Sequence, residues 1–249
     1  MNKETTILQK KRCVPQYIIV FHNASRKANN VDKNITFFKV LEALQTEKEC
    51  ALCKLEADAI HAYFDAIMYE AVNDPKVRLE LAKAHGYCHR HAHFLFELRD
   101  SLGVAILYQD QVKLFMDLFA KKGADELNRN QQRYNIDGAC PACRNQVETR
   151  CRYVNTLIEG WHEPEIKSAY EAAAGFCVPH LAILLKTVKD TVISDQSFAI
   201  ERNHLTGLWD ELQEFIRKHD YRYSDEPYGP ESNSWIRAIR KLTGAKEVF

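Results

Sequence analysis

The sequence predicts an all-α protein, a duplicated helical bundle with two similar three-helix halves in one chain. Three observations carry that expectation. Apolar residues recur at three- and four-residue steps through most of the chain, and few segments alternate with the period of two that marks a strand. Pro stands where helices should begin, in Asn73-Asp74-Pro75 and in Glu163-Pro164. A spacing of cysteines and histidines also occurs twice. It reads Cys50-x2-Cys53-x34-Cys88-x2-His91, then Cys140-x2-Cys143-x33-Cys177-x2-His180.

Taken in order, residues 1–34 are polar around a short apolar run, Tyr17 to Phe21, and read as an N-terminal arm with no counterpart later. Residues 35–125 form the first repeat. Ile35 to Leu44 is an amphipathic helix leading to Cys50. A helix from Cys53 to about Ala71 carries Leu55, Ala59, Ala62 and Ile67 on one stripe. A second begins at Pro75 and stops at Gly86. A third begins at Cys88 and runs through Leu95, Leu98 and Leu102 toward Phe119, with Ser101 to Gly103 as a point where it can kink or split. Residues 126–220 repeat this series after a polar joining stretch, Gly123 to Ala139. Residues 221–249 form a loop rich in Tyr, Pro and Gly and a short basic helix, Trp235 to Leu242.

The repeat itself selects the candidate ligands. Shifting the first copy by about 90 positions lays Cys50 and Cys53 on Cys140 and Cys143, then Gly86, Cys88 and His91 on Gly175, Cys177 and His180. His85, His89 and His93 fall on Ala174, Val178 and Ala182, so they read as solvent-facing or as outer partners of the ligands. Cys13 and Cys151 lie outside the pattern, and Cys151 reads as a packing residue. Three soft thiolates and one imidazole per copy is a zinc ligand set, so each half is expected to be stapled by a Cys3His site, two zinc ions in all. Iron–sulfur clusters at the same ligands are the alternative. Ligation within each half is expected because the shorter loop costs less entropy. Helix lengths resist it: about 28 Å of outward rise from Cys53 to Ala71 against about 16 Å of return. About four extended residues near Gly86, at about 3.3 Å each, or an oblique helix crossing would cover the difference; exchange, with Cys50 and Cys53 joining Cys177 and His180, is a third possibility.

Composition narrows the function. Lys plus Arg and Asp plus Glu number 34 each, so nothing in the net charge draws the chain to nucleic acid or an anionic membrane. No run approaches the roughly 18 to 20 apolar residues of a membrane span. With no leader sequence evident, eight cysteines fit reduced, metal-bound thiolates in the cytoplasm better than a secreted disulfide scaffold. Glu201-Arg-Asn-His204 has the spacing of a di-iron half-site but no second copy, so it reads as a surface pair or an outer partner of the ligands. Four protein ligands leave no open position for catalysis. The expectation is a non-enzymatic scaffold or regulator with a protein partner.

The motifs resemble a family of uncharacterised bacterial proteins with two Cys-x-x-Cys and Gly-aromatic-Cys-x-x-His modules. The carriers are Cys50-Ala-Leu-Cys53, Tyr69-Glu70-Ala-Val-Asn73-Asp74, Gly86-Tyr-Cys88-His-Arg-His91, Cys140-Pro-Ala-Cys143 and Gly175-Phe-Cys177-Val-Pro-His180. The resemblance covers about residues 35 to 220. It implies a mostly helical metal-binding protein and nothing about a substrate.

Overall fold

The structure is a computed structural model that describes residues 33–129, 140–223 and 225–249. Cys13, the N-terminal arm up to residue 32 and most of the expected joining stretch lie outside the described residues. Asp32–Phe249 forms one compact unit. Among the described residues the secondary structure is helical, with no strand.

The elements are α1 (Ile35–Thr46), α2 (Ala51–Ala66), α3 (Pro75–Lys83), α4 (His89–Glu97), α5 (Ser101–Arg129), α6 (Pro141–Glu159), α7 (Pro164–Ala172), α8 (Val178–Thr187), α9 (Thr191–Lys218) and α10 (Ser234–Thr243). A π-helical turn, Ile67–Ala71, continues α2, and a 3-10 turn, Gly160–His162, continues α6. Local sequence explains the starts. The Asn34 side chain accepts from Thr36 N and Phe37 N at α1, and Asp74 accepts from Lys76 N with Pro75 in the first turn of α3.

Each half holds four helices from its first ligand pair onward rather than three. The expected third helix splits in both places for one reason: an aspartate caps a new helix. Asp100 Oδ1 accepts from Gly103 N at 2.9 Å, and Asp190 Oδ1 accepts from Val192 N at 2.9 Å. These caps end α4 and α8 and start α5 and α9.

The core interleaves the halves. α2 packs most extensively against α6, and α1 lies on α2, α6 and α7. Phe64, Tyr87, Phe94 and Leu95 pack around Cys140 and Ala142, so residues of the first repeat enclose a ligand pair of the second. Trp161, Tyr170 and Phe176 stack in series, with ring centroids 5.0 Å apart at each step, beneath Cys177. Burying aromatic rings on this scale supplies large apolar area, roughly 150 to 250 Å² each.

Candidate metal centres

The eight repeated candidate ligands converge, but not within each half. Cys50, Cys53, Cys177 and His180 form one group, and Cys88, His91, Cys140 and Cys143 form another; in each the side-chain ligand atoms lie within 4.8 Å of one another. The expected pairing within each half is therefore corrected to exchange between halves. The reason is the length mismatch. α2 has 16 residues and α3 has nine, rises of about 24 and 14 Å, so α3 returns about 10 Å short of Cys50, and the residues after it form a turn (Gly86 N to Leu81 O, 2.9 Å) instead of extending to make up the difference.

All four ligand pairs use one local geometry. Cys50, Cys88, Cys140 and Cys177 are the N-caps of α2, α4, α6 and α8, in extended or near-extended backbone and with no side-chain capping bond. The first ligand, not the second, thus opens each helix. The second stands three residues on, in the first turn. Each first Cys carbonyl accepts the opening helical bond, as in Ala92 N to Cys88 O at 2.8 Å and Leu181 N to Cys177 O at 2.9 Å. Two helix N-termini face each group. Their free N–H groups and dipoles favour the negative charge of gathered thiolates.

Within the first group, His180 Nδ1 lies 3.3 Å from Cys50 Sγ, 3.4 Å from Cys53 Sγ and 3.2 Å from Cys177 Sγ, and Cys53 Sγ is 3.7 Å from Cys177 Sγ. In the second, His91 Nδ1 lies 3.3 Å from Cys88 Sγ, 3.3 Å from Cys143 Sγ and 3.6 Å from Cys140 Sγ, and Cys88 Sγ is 3.5 Å from Cys143 Sγ. Tetrahedral zinc, with Zn–S near 2.3 Å and Zn–N near 2.05 Å, requires edges of about 3.8 Å between sulfurs and about 3.6 Å from sulfur to nitrogen. The donors fit one such ion per group.

Crowding sets these groups against one another. Hydrogen bonding with the Cys177 and Cys50 sulfurs, then burial, pushes the Cys53 thiol far up. Cys140 and Cys88, then burial, do the same to Cys143. Hydrogen bonds from Cys140 and Cys143 hold Cys88 far below the usual thiol range against its burial. Burial lowers the His180 imidazole, but Cys177, Cys50 and Glu56 overcome it and raise it to about 11. Three sulfurs at contact distance hold protons between them unless a cation takes the protons' place.

The two groups differ in their surroundings. His180 Nε2 meets Glu56 Oε1 at 2.6 Å. Arg150 clamps the same carboxylate, Nε to Oε1 at 2.6 Å and a terminal nitrogen to Oε2 at 2.7 Å, and Gln146 Nε2 donates to Oε2 at 3.1 Å. Burial pushes the Glu56 carboxyl up, and the His180 and Arg150 hydrogen bonds more than offset it, so it is held below the usual range. Gln146 occupies the place in the second repeat that Glu56 occupies in the first, six residues after the leading Cys. Its Oε1 accepts from Arg90 at 2.6 Å instead of reaching a histidine. His91 Nε2 is buried without a hydrogen-bond partner. Cys88 and Cys143 are half-buried, while all four residues of the first group are buried.

The C-terminal tail closes over the first group. Ala245 N donates to Cys53 Sγ at 3.4 Å, Gln146 Nε2 donates to Val248 O at 3.0 Å, and the Phe249 ring lies edge-on to His180 at 4.9 Å and under the Arg150 guanidinium at 4.8 Å. Glu201 is buried rather than a surface residue. Its Oε1 accepts from Phe176 N at 2.5 Å and Tyr170 Oη at 2.9 Å, and its Oε2 pairs with Lys241 at 2.5 Å, which fixes the loop one residue before Cys177. Gly175 precedes that loop at φ +77°, and a Cβ there would strike Glu201 and His204. A cavity of about 640 Å³ lies against this group, lined by Cys50, Cys53, Cys177, His204 and Lys241 among others. Two of its other cations are tied to carboxylates, Arg240 to Glu49 and Arg237 to Glu211.

His85, His89 and His93 are exposed, and Cys151 is half-buried on α6, so none joins either group. Sequence reasoning passed over Glu56, Gln146, Arg150 and the tail. The shared place of Glu56 and Gln146, six residues into equivalent helices, was the signal for the first two.

The chain belongs to a family of unknown function, DUF6062, whose model matches residues 31–248. It is similar to an uncharacterized 23.9 kDa protein in the xynA 3' region of Caldicellulosiruptor sp. (strain Rt8B.4), at 25% identity over 207 residues that cover 80% of this chain and 97% of the relative. No solved structure matches.

Proposed function

We propose that this member of the DUF6062 family carries two zinc ions, one held by Cys50, Cys53, Cys177 and His180 and one by Cys88, His91, Cys140 and Cys143. Their role is to fasten a helical scaffold whose surface serves a protein partner. The observation that carries the reading is the convergence of eight repeated residues into two foursomes, each with its ligand atoms within 4.8 Å. That compactness favours a single ion over an iron–sulfur cluster, in which ligands bound to different irons must stand farther apart. Three thiolates and a neutral imidazole leave a zinc site at a net charge of minus one, which the paired helix N-termini offset. Four protein ligands close the site to water and substrate, so the ions act on stability rather than in catalysis. Cys50, Cys53, Cys88, Cys140, Cys143 and Cys177 are free thiols, which supports a cytoplasmic setting over a secreted disulfide scaffold.

Anaerobic purification followed by elemental analysis and a visible spectrum tests this. Two zinc ions per folded chain and no visible absorption are expected. A folded protein without metal would sink the reading, and iron with sulfide and a coloured spectrum would replace zinc by clusters.

A further inference from the structure

α9 carries an apolar stripe that nothing in the described structure covers. Phe198, Leu205, Trp209 and Ile216 are 56, 37, 61 and 63% exposed. Their steps of seven, four and seven residues put all of them on one line of a helix. The packed side of α9 is the neighbouring one: Ile193, Ser197 and Glu201 are buried, Glu201 pairs with Lys241 of α10, and Glu211 pairs with Arg237. A stripe of four large side chains facing water over about 27 Å of helix exceeds the scattered exposure usual on a monomer.

The spacing reads the same in both directions, which identifies the occupant. When a second α9 lies antiparallel on the first, centred near residue 207, Phe198 falls opposite the partner's Ile216, and Leu205 opposite the partner's Trp209. The flanking charges follow the same symmetry. Arg202 and Asp210 lie on one flank of the stripe, both exposed and in no ion pair among the described residues. In a twofold antiparallel pairing that flank meets itself, so Arg202 reaches the partner's Asp210, twice per dimer. A single helix parallel to α9 or an unrelated apolar segment has no need of this reversal symmetry.

We propose that the chain forms a twofold dimer through an antiparallel α9–α9 contact, with Phe198, Leu205, Trp209 and Ile216 as its apolar seam and Arg202–Asp210 pairs setting the register. The contact is independent of the metal groups, which lie at the N-termini of α2, α4, α6 and α8. One helix pair buries less than the roughly 800 Å² per partner of a standard interface, so the dimer dissociates in about the micromolar range.

Sedimentation of the full chain from about 1 to 100 μM tests this, since that range brackets the expected dissociation constant. The mass should rise from the chain's 28.8 kDa toward twice that value. Trp209→Glu should leave a monomer with unchanged helicity and metal content, because the side chain faces solvent within its own chain. Arg202→Asp should weaken the dimer at least several-fold, and adding Asp210→Arg should restore it. A monomer throughout the range overturns the proposal, as does a dimer that survives Trp209→Glu. Failure of the charge swap to rescue would overturn the antiparallel register.

Discussion

Glu56→Gln is the sharpest test of how the first centre is supported. The substitution keeps shape and volume and removes one charge from a wholly buried side chain. Every partner of Glu56 is a donor: Arg150 through two nitrogens, Gln146 through Nε2, and His180 through Nε2 once Nδ1 faces the sulfurs. A glutamine amide turned either way sets its NH2 against at least one of those donors and leaves the Arg150 guanidinium buried without its counter-ion. Breaking a buried pair from one side costs about 3–5 kcal/mol. For a domain of this size that is a loss of roughly 6–20 °C in melting temperature. The ligand histidine also loses the carboxylate that fixes its orientation, which lowers affinity for that ion by about 10–100-fold. Differential scanning calorimetry and chelator competition read the two effects separately. The ion at Cys88, His91, Cys140 and Cys143 should be retained at its original affinity. A variant that melts within about 1 °C of the parent and holds both ions unchanged would refute the account of Glu56 as the pivot of this centre.

The exchanged pairing is tested by double variants: Cys50→Ser with Cys177→Ser should leave one tightly held ion, while Cys50→Ser with Cys88→Ser should leave none, and pairing within halves predicts the reverse. Under limiting chelator the first ion released should come from the second group, so cysteine alkylation read by peptide mass spectrometry should mark Cys88 and Cys143 before Cys50 and Cys53; the reverse order would contradict the role given to the unpartnered His91 Nε2 and to the exposure of those sulfurs. Gly175→Ala should destabilise more than Gly86→Ala in thermal melts. Both residues have positive φ, at a cost of about 1–2 kcal/mol for a side chain, but only at Gly175 would the new Cβ meet Glu201 and His204. Cys151→Ser should leave both ions in place by elemental analysis, since that thiol belongs to neither group.

The candidate ligands of the two convergent groups were legible because a repeat acts as its own comparison: His91 recurs as His180, while His85, His89 and His93 recur as Ala174, Val178 and Ala182. Helix existence was legible from apolar spacing and from Pro75 and Pro164. The pairing was not, because loop entropy was given too much weight. Closing Cys53 onto Cys177 rather than Cys88 lengthens the loop from 34 residues to 123, which costs only about 1 kcal/mol. The helix rises of α2 and α3 disagree by about 10 Å, and the residues after α3 turn back at His85 and Gly86, with Gly86 N on Leu81 O at 2.9 Å, instead of extending to cover the gap. Glu56 was hidden because a carboxylate six residues into a helix looks like a solvated face. Its burial depends on Arg150 and His180, 94 and 124 residues away. The C-terminal tail was hidden for the same reason: Ala245 and Phe249 acquire meaning only through Cys53 and His180.

Exchange changes what each centre can hold together. An ion bound within one half would fasten a hairpin to itself and leave the halves to separate along the α2–α6 contact. With ligands exchanged, α2 and α8 share one group and α4 and α6 share the other, so both foursomes span the halves. Separating the halves must then break two ligand sets at once, together with the buried Glu56–Arg150 pair that crosses from α2 to α6. The hydrogen-bond path from Arg90 beside His91, through Gln146, to Glu56 and His180 links the surroundings of the two groups as well. On the proposed two-ion reading, loss of either ion would loosen the same α2–α6 seam, and the seam in turn positions Cys53 and Cys143 in the first turns of those helices. Metal binding as proposed and the docking of the halves would then be one cooperative event.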